Sequence, residues 1–134
     1  MRRFMGLMGL VGLMSLMGFL GCSKITPEQQ ASFAAQGYYR HLVAGECELF
    51  LEGVAGSDSL PKDYREQLIV GYRQFVAEQR KAHGGIAAVK ASNTVTDTLS
   101  GSINVFLLLQ YSDSIEEEIV VPMVEQKPGQ WRMK

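Results

Sequence analysis

The hydrophobic positions change period along the chain. Between Ala31 and Val43 they fall three and four apart. Ala31, Ala34, Ala35, Tyr38, Leu42 and Val43 share one helical face, broadened by Phe33 and Tyr39. Thr26-Pro27-Glu28-Gln29 starts that helix, with Thr26 as N-cap, Pro27 at the first helical position and Gln29 completing a capping box. Gly45 breaks it. Glu46 to Val54 reads as a second, shorter helix with Cys47, Phe50, Leu51 and Val54 inward. Ala55 to Leu60 has loop composition, and Pro61 opens a third helix. Its stripe is Tyr64, Leu68, Tyr72, Phe75, Val76 and Gln79, while charged residues from Lys62 to Lys81 form a solvated face. Arg80, Lys81 and His83 close the helix where its dipole favours cations, and Gly84 is the C-cap signal.

From Ile86 onward the period is two. Ile86 to Val95 is β-branched and small. Ser102 to Tyr111 is the one run after residue 25 that is apolar on both faces. Ile103, Val105, Leu107 and Leu109 point one way, Phe106 and Leu108 the other, so this strand is central in its sheet. Ser112-Asp113-Ser114 is a hairpin loop, and Ile115 to Val124 pairs back, with Ile115, Ile119, Val121 and Met123 on one face. Glu116, Glu117 and Glu118 alternate across that strand, so they form no single acidic site and read as a solvated strand end. Pro122 predicts an edge position or a bulge. Lys127-Pro128-Gly129 is a tight turn before a last strand, Gln130 to Lys134, with Trp131 and Met133 on one face. Three helices packed on a curved antiparallel sheet of about four strands is α+β, and a sheet wrapped round the long helix leaves a cone with an open mouth and a pocket.

The start of the chain is different in kind. Arg2 and Arg3 form a positive segment, and Phe4 to Gly21 carries no charge. Gly6, Gly9, Gly12 and Gly18 interrupt the apolar run, and no positive cluster follows it. Residues 1–21 therefore read as a signal peptide rather than a spanning helix. Phe19-Leu20-Gly21-Cys22 resembles the bacterial lipoprotein box, in which a signal peptidase cuts before a lipidated cysteine. The resemblance implies that Cys22 carries acyl chains and that residues 22–26 are a lipidated cysteine and short tether. It also implies a lipid-anchored protein of the bacterial cell envelope. Ser23 after the cysteine, in place of Asp, implies the outer membrane, with the domain facing the periplasm.

Charge and cysteine content narrow the partners. Without Arg2 and Arg3 the 13 basic residues become 11, against 14 acidic ones, a net charge of −3. That leaves no basic excess to grip nucleic acid or an anionic membrane surface. With Cys22 lipidated, Cys47 is alone and has no disulfide partner within the chain. Between Glu46 and Glu48 its thiolate is disfavoured, and it reads as a small buried hydrophobe.

Several stretches carry a family likeness: Ala34 to Leu42, His83-Gly84-Gly85-Ile86, Tyr111-Ser112-Asp113, Val120 to Val124 and Gln130-Trp131-Arg132. On these, residues 27–134 resemble a single domain of the nuclear-transport-factor-2-like (NTF2-like) superfamily, with its cystatin-like cone. The nearest likeness is to small bacterial lipoproteins once labelled lumazine-binding-like. The resemblance implies a pocket between the first and third helices and the sheet. Its members include ketosteroid isomerase, polyketide cyclases, dehydratases, and non-catalytic binding or dimerising domains, so fold alone does not assign function.

Isomerase-type or cyclase-type chemistry needs a carboxylate base and an acid donor in a dry cavity. Asp63, Asp97 and a tyrosine such as Tyr38 or Tyr72 are candidates by type. Asp63 is explained by a helix first turn and Asp97 by a Thr-Asp-Thr turn. Glu117, between Ile115 and Ile119, is the one strand carboxylate with apolar neighbours on its own face. His83 reads as a terminal helix residue and His41 as a boundary histidine. The chain shows no phosphate loop, metal-ligand spacing or nucleophile beside a base, and no cofactor is expected. The expectation is a non-catalytic binding module for a small apolar or aromatic ligand. Phe33 and Tyr38 from the first helix and Tyr72 and Phe75 from the third are the expected pocket lining, with Phe106, Leu108 and Trp131 from the strands. The alternative is a protein-interaction domain, or a homodimer, using the open sheet face, with Ala88, Leu107, Leu109 and Val121 contributing.

Overall fold

The computed structural model describes residues 24–134, so residues 1–21, expected to be a signal peptide, and Cys22, expected to be lipidated, lie outside the described residues. Helix α1 (Pro27–Val43) starts as its sequence requires. The Gln29 N–H donates to Thr26 Oγ1 at 3.1 Å, and the Thr26 N–H donates back to Gln29 Oε1 at 3.0 Å. These reciprocal bonds satisfy donors that a helix start otherwise leaves unpaired. Helix α2 (Cys47–Glu52) buries Cys47, Phe50 and Leu51 and is shorter than predicted. Val54 leaves it to form a parallel bridge with Met133. The Met133 N–H donates to the Gly53 carbonyl at 2.6 Å, and the Ala55 N–H to the Met133 carbonyl at 2.7 Å. A 3-10 turn, Ser57–Ser59, leads to helix α3 (Lys62–His83), which ends at Gly84 in the left-handed region (φ 79°).

Four antiparallel strands follow in sequence order: β1 (Ile86–Thr96), β2 (Ile103–Tyr111), β3 (Glu116–Lys127) and β4 (Gln130–Met133). The architecture is the expected α+β arrangement, three helices against a curved sheet. β2 is central, and its inner face buries Ile103, Val105, Leu107, Leu109 and Tyr111. Ala31 and Ala35 of α1 are fully buried, and side chains this small let the helix lie close to the sheet. Register shifts in β1 (Ile86/Ala88 and Ala91/Asn93) and between β3 and β4 (Glu125/Lys127) bend the sheet.

Two features leave one end of the cone open. The short β4 pairs only from Met123 to Lys127, so β3 has a free edge from Glu116 to Val121 among the described residues. Pro122 stands where that edge begins. Its carbonyl accepts from the Lys134 N–H at 2.8 Å, and its missing N–H faces the end of the ladder, in keeping with the predicted edge position. The three glutamates blunt the same free edge against pairing with another chain. The second feature is α3, which has no fully buried residue and makes its main contacts with α2, α1 and β1. Ile69, Tyr72, Phe75 and Val76 lean on the core, whereas Tyr64, predicted on the inner stripe, is 49% exposed.

Candidate functional site

A cavity of about 400 Å³ lies at this open end. Each wall follows from a local rule already described. Helix periodicity brings Tyr39 and Leu42 of α1 to it, and Tyr72 and Phe75 of α3 one turn apart, with Phe50 supplied by α2. Hairpin symmetry about Asp113 pairs Leu109 with Glu117 and Leu107 with Ile119. Leu109, Glu117 and Ile119 thus form the sheet side of the cavity, with Val120 at its margin.

The aromatic wall is ordered edge to face. Tyr39 and Phe50 have ring centroids 5.1 Å apart at 84°, and Phe50 and Tyr72 are 4.8 Å apart at 82°. Burial raises the Tyr39 hydroxyl pKa, and the nearby Tyr72 hydroxyl adds to the rise. Burial likewise raises Tyr72, with smaller contributions from Tyr64 and Cys47. Both stay neutral and act as polar tips on an otherwise apolar wall.

Glu117 is the one charged residue on the lining. Tyr111 donates its hydroxyl to Glu117 Oε1 at 2.6 Å. The Tyr111 pKa is pushed up to about 12, first by burial and then by the hydrogen bond and charge of Glu117. The Tyr111 ring stacks on His83, centroids 4.4 Å apart, and His83 Nδ1 donates to Asp113 Oδ2 at 2.8 Å. This chain of contacts ties the end of α3 to the β2–β3 hairpin and fixes the carboxylate at the rim. Among the described residues, no group of three His, Cys, Asp or Glu is placed to share a metal ion.

The predicted lining residues divide. Tyr72 and Phe75 are on the cavity. Tyr38 is not. Its ring packs on Gly53, its hydroxyl donates to the Trp131 carbonyl at 2.7 Å, and it accepts from Arg132 Nη1 at 2.8 Å. Trp131 is buried at the other end of the sheet, where its Nε1–H donates to Gln30 Oε1 at 3.0 Å. Phe33 is 61% exposed and borders a shallow groove against Ala91 to Thr94. Phe106 and Leu108 lie on the outer face of the sheet, opposite Val120 and Glu118. Of the expected interaction residues, Leu107, Leu109 and Val121 are inverted with them and buried inward, whereas Ala88, opposite Gln110, stays on the outer face. Both corrections have one cause. β2 is apolar on both faces, and its neighbours decide which faces the helices. Lys90, Asn93 and Glu118 accompany the outer face, and Ile119, Val121 and Met123 the inner.

Tyr39, Leu42, Phe50, Leu109, Glu117, Ile119 and Val120 were missed as lining. Phe50 and Ile119 carried a signal, because each lies on the apolar face of its element. Glu117 carried a better one: counting outward from the hairpin centre at Asp113 sets it opposite Leu109.

No protein-family model and no curated protein matches the chain. Among solved structures, the chain is similar to a Campylobacter jejuni protein described as an NTF2-like transpeptidase. The TM-score is 0.59 at 12% identity, over 74% of this chain and 92% of that one. The fold is NTF2-like, as the resemblance implied.

Proposed function

We propose that this protein is a non-catalytic binding module that holds a small apolar or aromatic ligand in the cavity between α3 and the sheet. One observation carries this: about 400 Å³ of space walled by Tyr39, Phe50, Tyr72 and Phe75 is left unfilled where α3 buries none of its residues fully. That volume is within the range of small-molecule sites, and an apolar wall with few polar groups is their usual composition. The protein works from the bacterial envelope, anchored at the outer membrane through lipidated Cys22, with the cone in the periplasm.

The similar structure bears the name transpeptidase, and acyl transfer needs an accessible nucleophile beside a base. Cys47 is fully buried, and burial, opposed by Arg73 and aided by Glu48, raises its thiol pKa. This favours binding over acyl transfer. A thermal-shift panel of flavin-like, steroid, isoprenoid and aromatic compounds tests the proposal. Ligand at a hundred times its Kd adds about 2.7 kcal/mol to stability. We expect a dose-dependent rise in Tm that Tyr72→Ala removes while remaining folded; a flat panel defeats the proposal.

A second function, self-association, is favoured by the outer face of the sheet. Val95 and Val120 are 47% and 51% exposed there, beside half-exposed Phe106 and Leu108.

A further inference from the structure

Building on the binding proposal, we infer that the ligand is an organic cation, an ammonium on an aromatic or aliphatic body, with Glu117 as its counter-ion. The cavity lining holds one carboxylate and no Lys, Arg or His. Its aromatic rings meet at right angles around the space, so more than one ring direction is available to a cation. Aromatic rings attract cations through their quadrupole, and a carboxylate at the rim adds a directional anchor. Tyr111 occupies Glu117 Oε1 with its hydroxyl, and no described residue donates to Oε2. Tyr111 is thus a positioning residue: it orients the carboxylate and leaves one oxygen for a ligand N–H. The nearest imidazole, His83, already donates to Asp113 and stacks behind Tyr111, so it does not neutralise Glu117 from within the cavity. An anionic ligand would meet Glu117 without a compensating cation on the lining. A neutral apolar ligand would leave the carboxylate unused.

Three probes sharing one ring system separate these cases: naphthylethylamine, naphthylethanol and naphthylacetate. Each is titrated calorimetrically at neutral pH into the full chain in phosphatidylcholine nanodiscs, with empty nanodiscs as the blank. The amine is expected to bind about tenfold or more tightly than the alcohol, with the acetate weakest. Glu117→Gln, nearly isosteric, should erase the preference for the amine and leave the alcohol's affinity within about twofold. Tyr111→Phe should reduce the preference without abolishing it. Equal binding of amine and alcohol, or tightest binding of the acetate, overturns the cation inference while the cavity remains a binding site. A Glu117→Gln protein that keeps the preference also overturns it. If no probe binds and Tyr72→Ala changes nothing, both the cation inference and the binding proposal fall.

Discussion

At Gly53 a β-carbon would stand 2.5 Å from the Tyr38 ring. The backbone there is an ordinary right-handed one, so the constraint is steric rather than conformational. Gly53→Ala must push Tyr38 off the Trp131 carbonyl and away from Arg132. Urea unfolding should show a loss of about 1–3 kcal/mol, the usual cost of overpacking. Nothing in the neighbouring residues announces this glycine, because the ring it accommodates comes from another helix. Tyr111 allows a second test at this scale. Its folded pKa of about 12 lies above the ordinary value of 10.0, so the folded state holds the phenolic proton more tightly. The stability this supplies is fully present below pH 10 and is lost as pH rises towards 12. In a phenolate absorbance titration Tyr111 should ionise last of the five tyrosines, beyond the smaller rises of Tyr39 and Tyr72, together with alkaline unfolding. Tyr111→Phe should remove that late step; five tyrosines ionising together in the folded protein would contradict it.

Among the elements, α3 is the least secured. It has no fully buried residue, and its C-terminal end is pinned to the hairpin by His83 and Asp113 and by the Ser112 N–H donating to the Gly85 carbonyl at 2.9 Å. The hydrogen bond from His83 is the main cause of a lowered Asp113 pKa. A lowered carboxyl pKa means stability that is present above its ordinary value of 3.8 and lost as pH falls through the lower folded value. Asp113→Asn should therefore speed amide exchange in the last turns of α3 near neutral pH. The difference from the parent should shrink as the solution is acidified below that window. Equal exchange in both proteins at neutral pH would mean the pin does not hold the helix. The weak packing of α3 also explains the cavity: a helix that buried its aromatic stripe fully would leave no space.

For the molecule as a whole, two predictions concern what it touches. Labelled palmitate should be incorporated into the full chain expressed in a Gram-negative bacterium, and Cys22→Ala should abolish the label. Retention of label in that variant would refute anchoring at Cys22. Light scattering tests the outer sheet face. If copies associate through Phe106, Leu108 and Val120, a dimer mass should fall to the monomer in Phe106→Lys, and a concentration-independent monomer in the parent excludes it. The two uses of the sheet meet at Val120, which borders the cavity as well as the outer patch, while Phe106 and Leu108 lie on the outer face alone.

Element types, their order and most of their boundaries were legible without a fold, because they depend on local physics. The capping box at Thr26, the left-handed stop at Gly84, the hairpin about Asp113 and the doubly apolar β2 each depend on residues close in the chain. The inward sides of α1 and α2 were legible as well, since a helix with one apolar stripe has one way to bury it. The candidate site was legible only at Tyr72 and Phe75. β2 offers two apolar faces, and only its partners in β1 and β3 choose between them, a choice that sent Phe106 and Leu108 outward. The tyrosines of α1 divide for the same reason: Gly53 and Trp131 capture Tyr38 at one end, and Phe50 turns Tyr39 to the cavity at the other. Periodicity says that a side chain will be covered; which side chain covers it, and whether space remains beside it, depends on residues distant in the chain that only packing brings together.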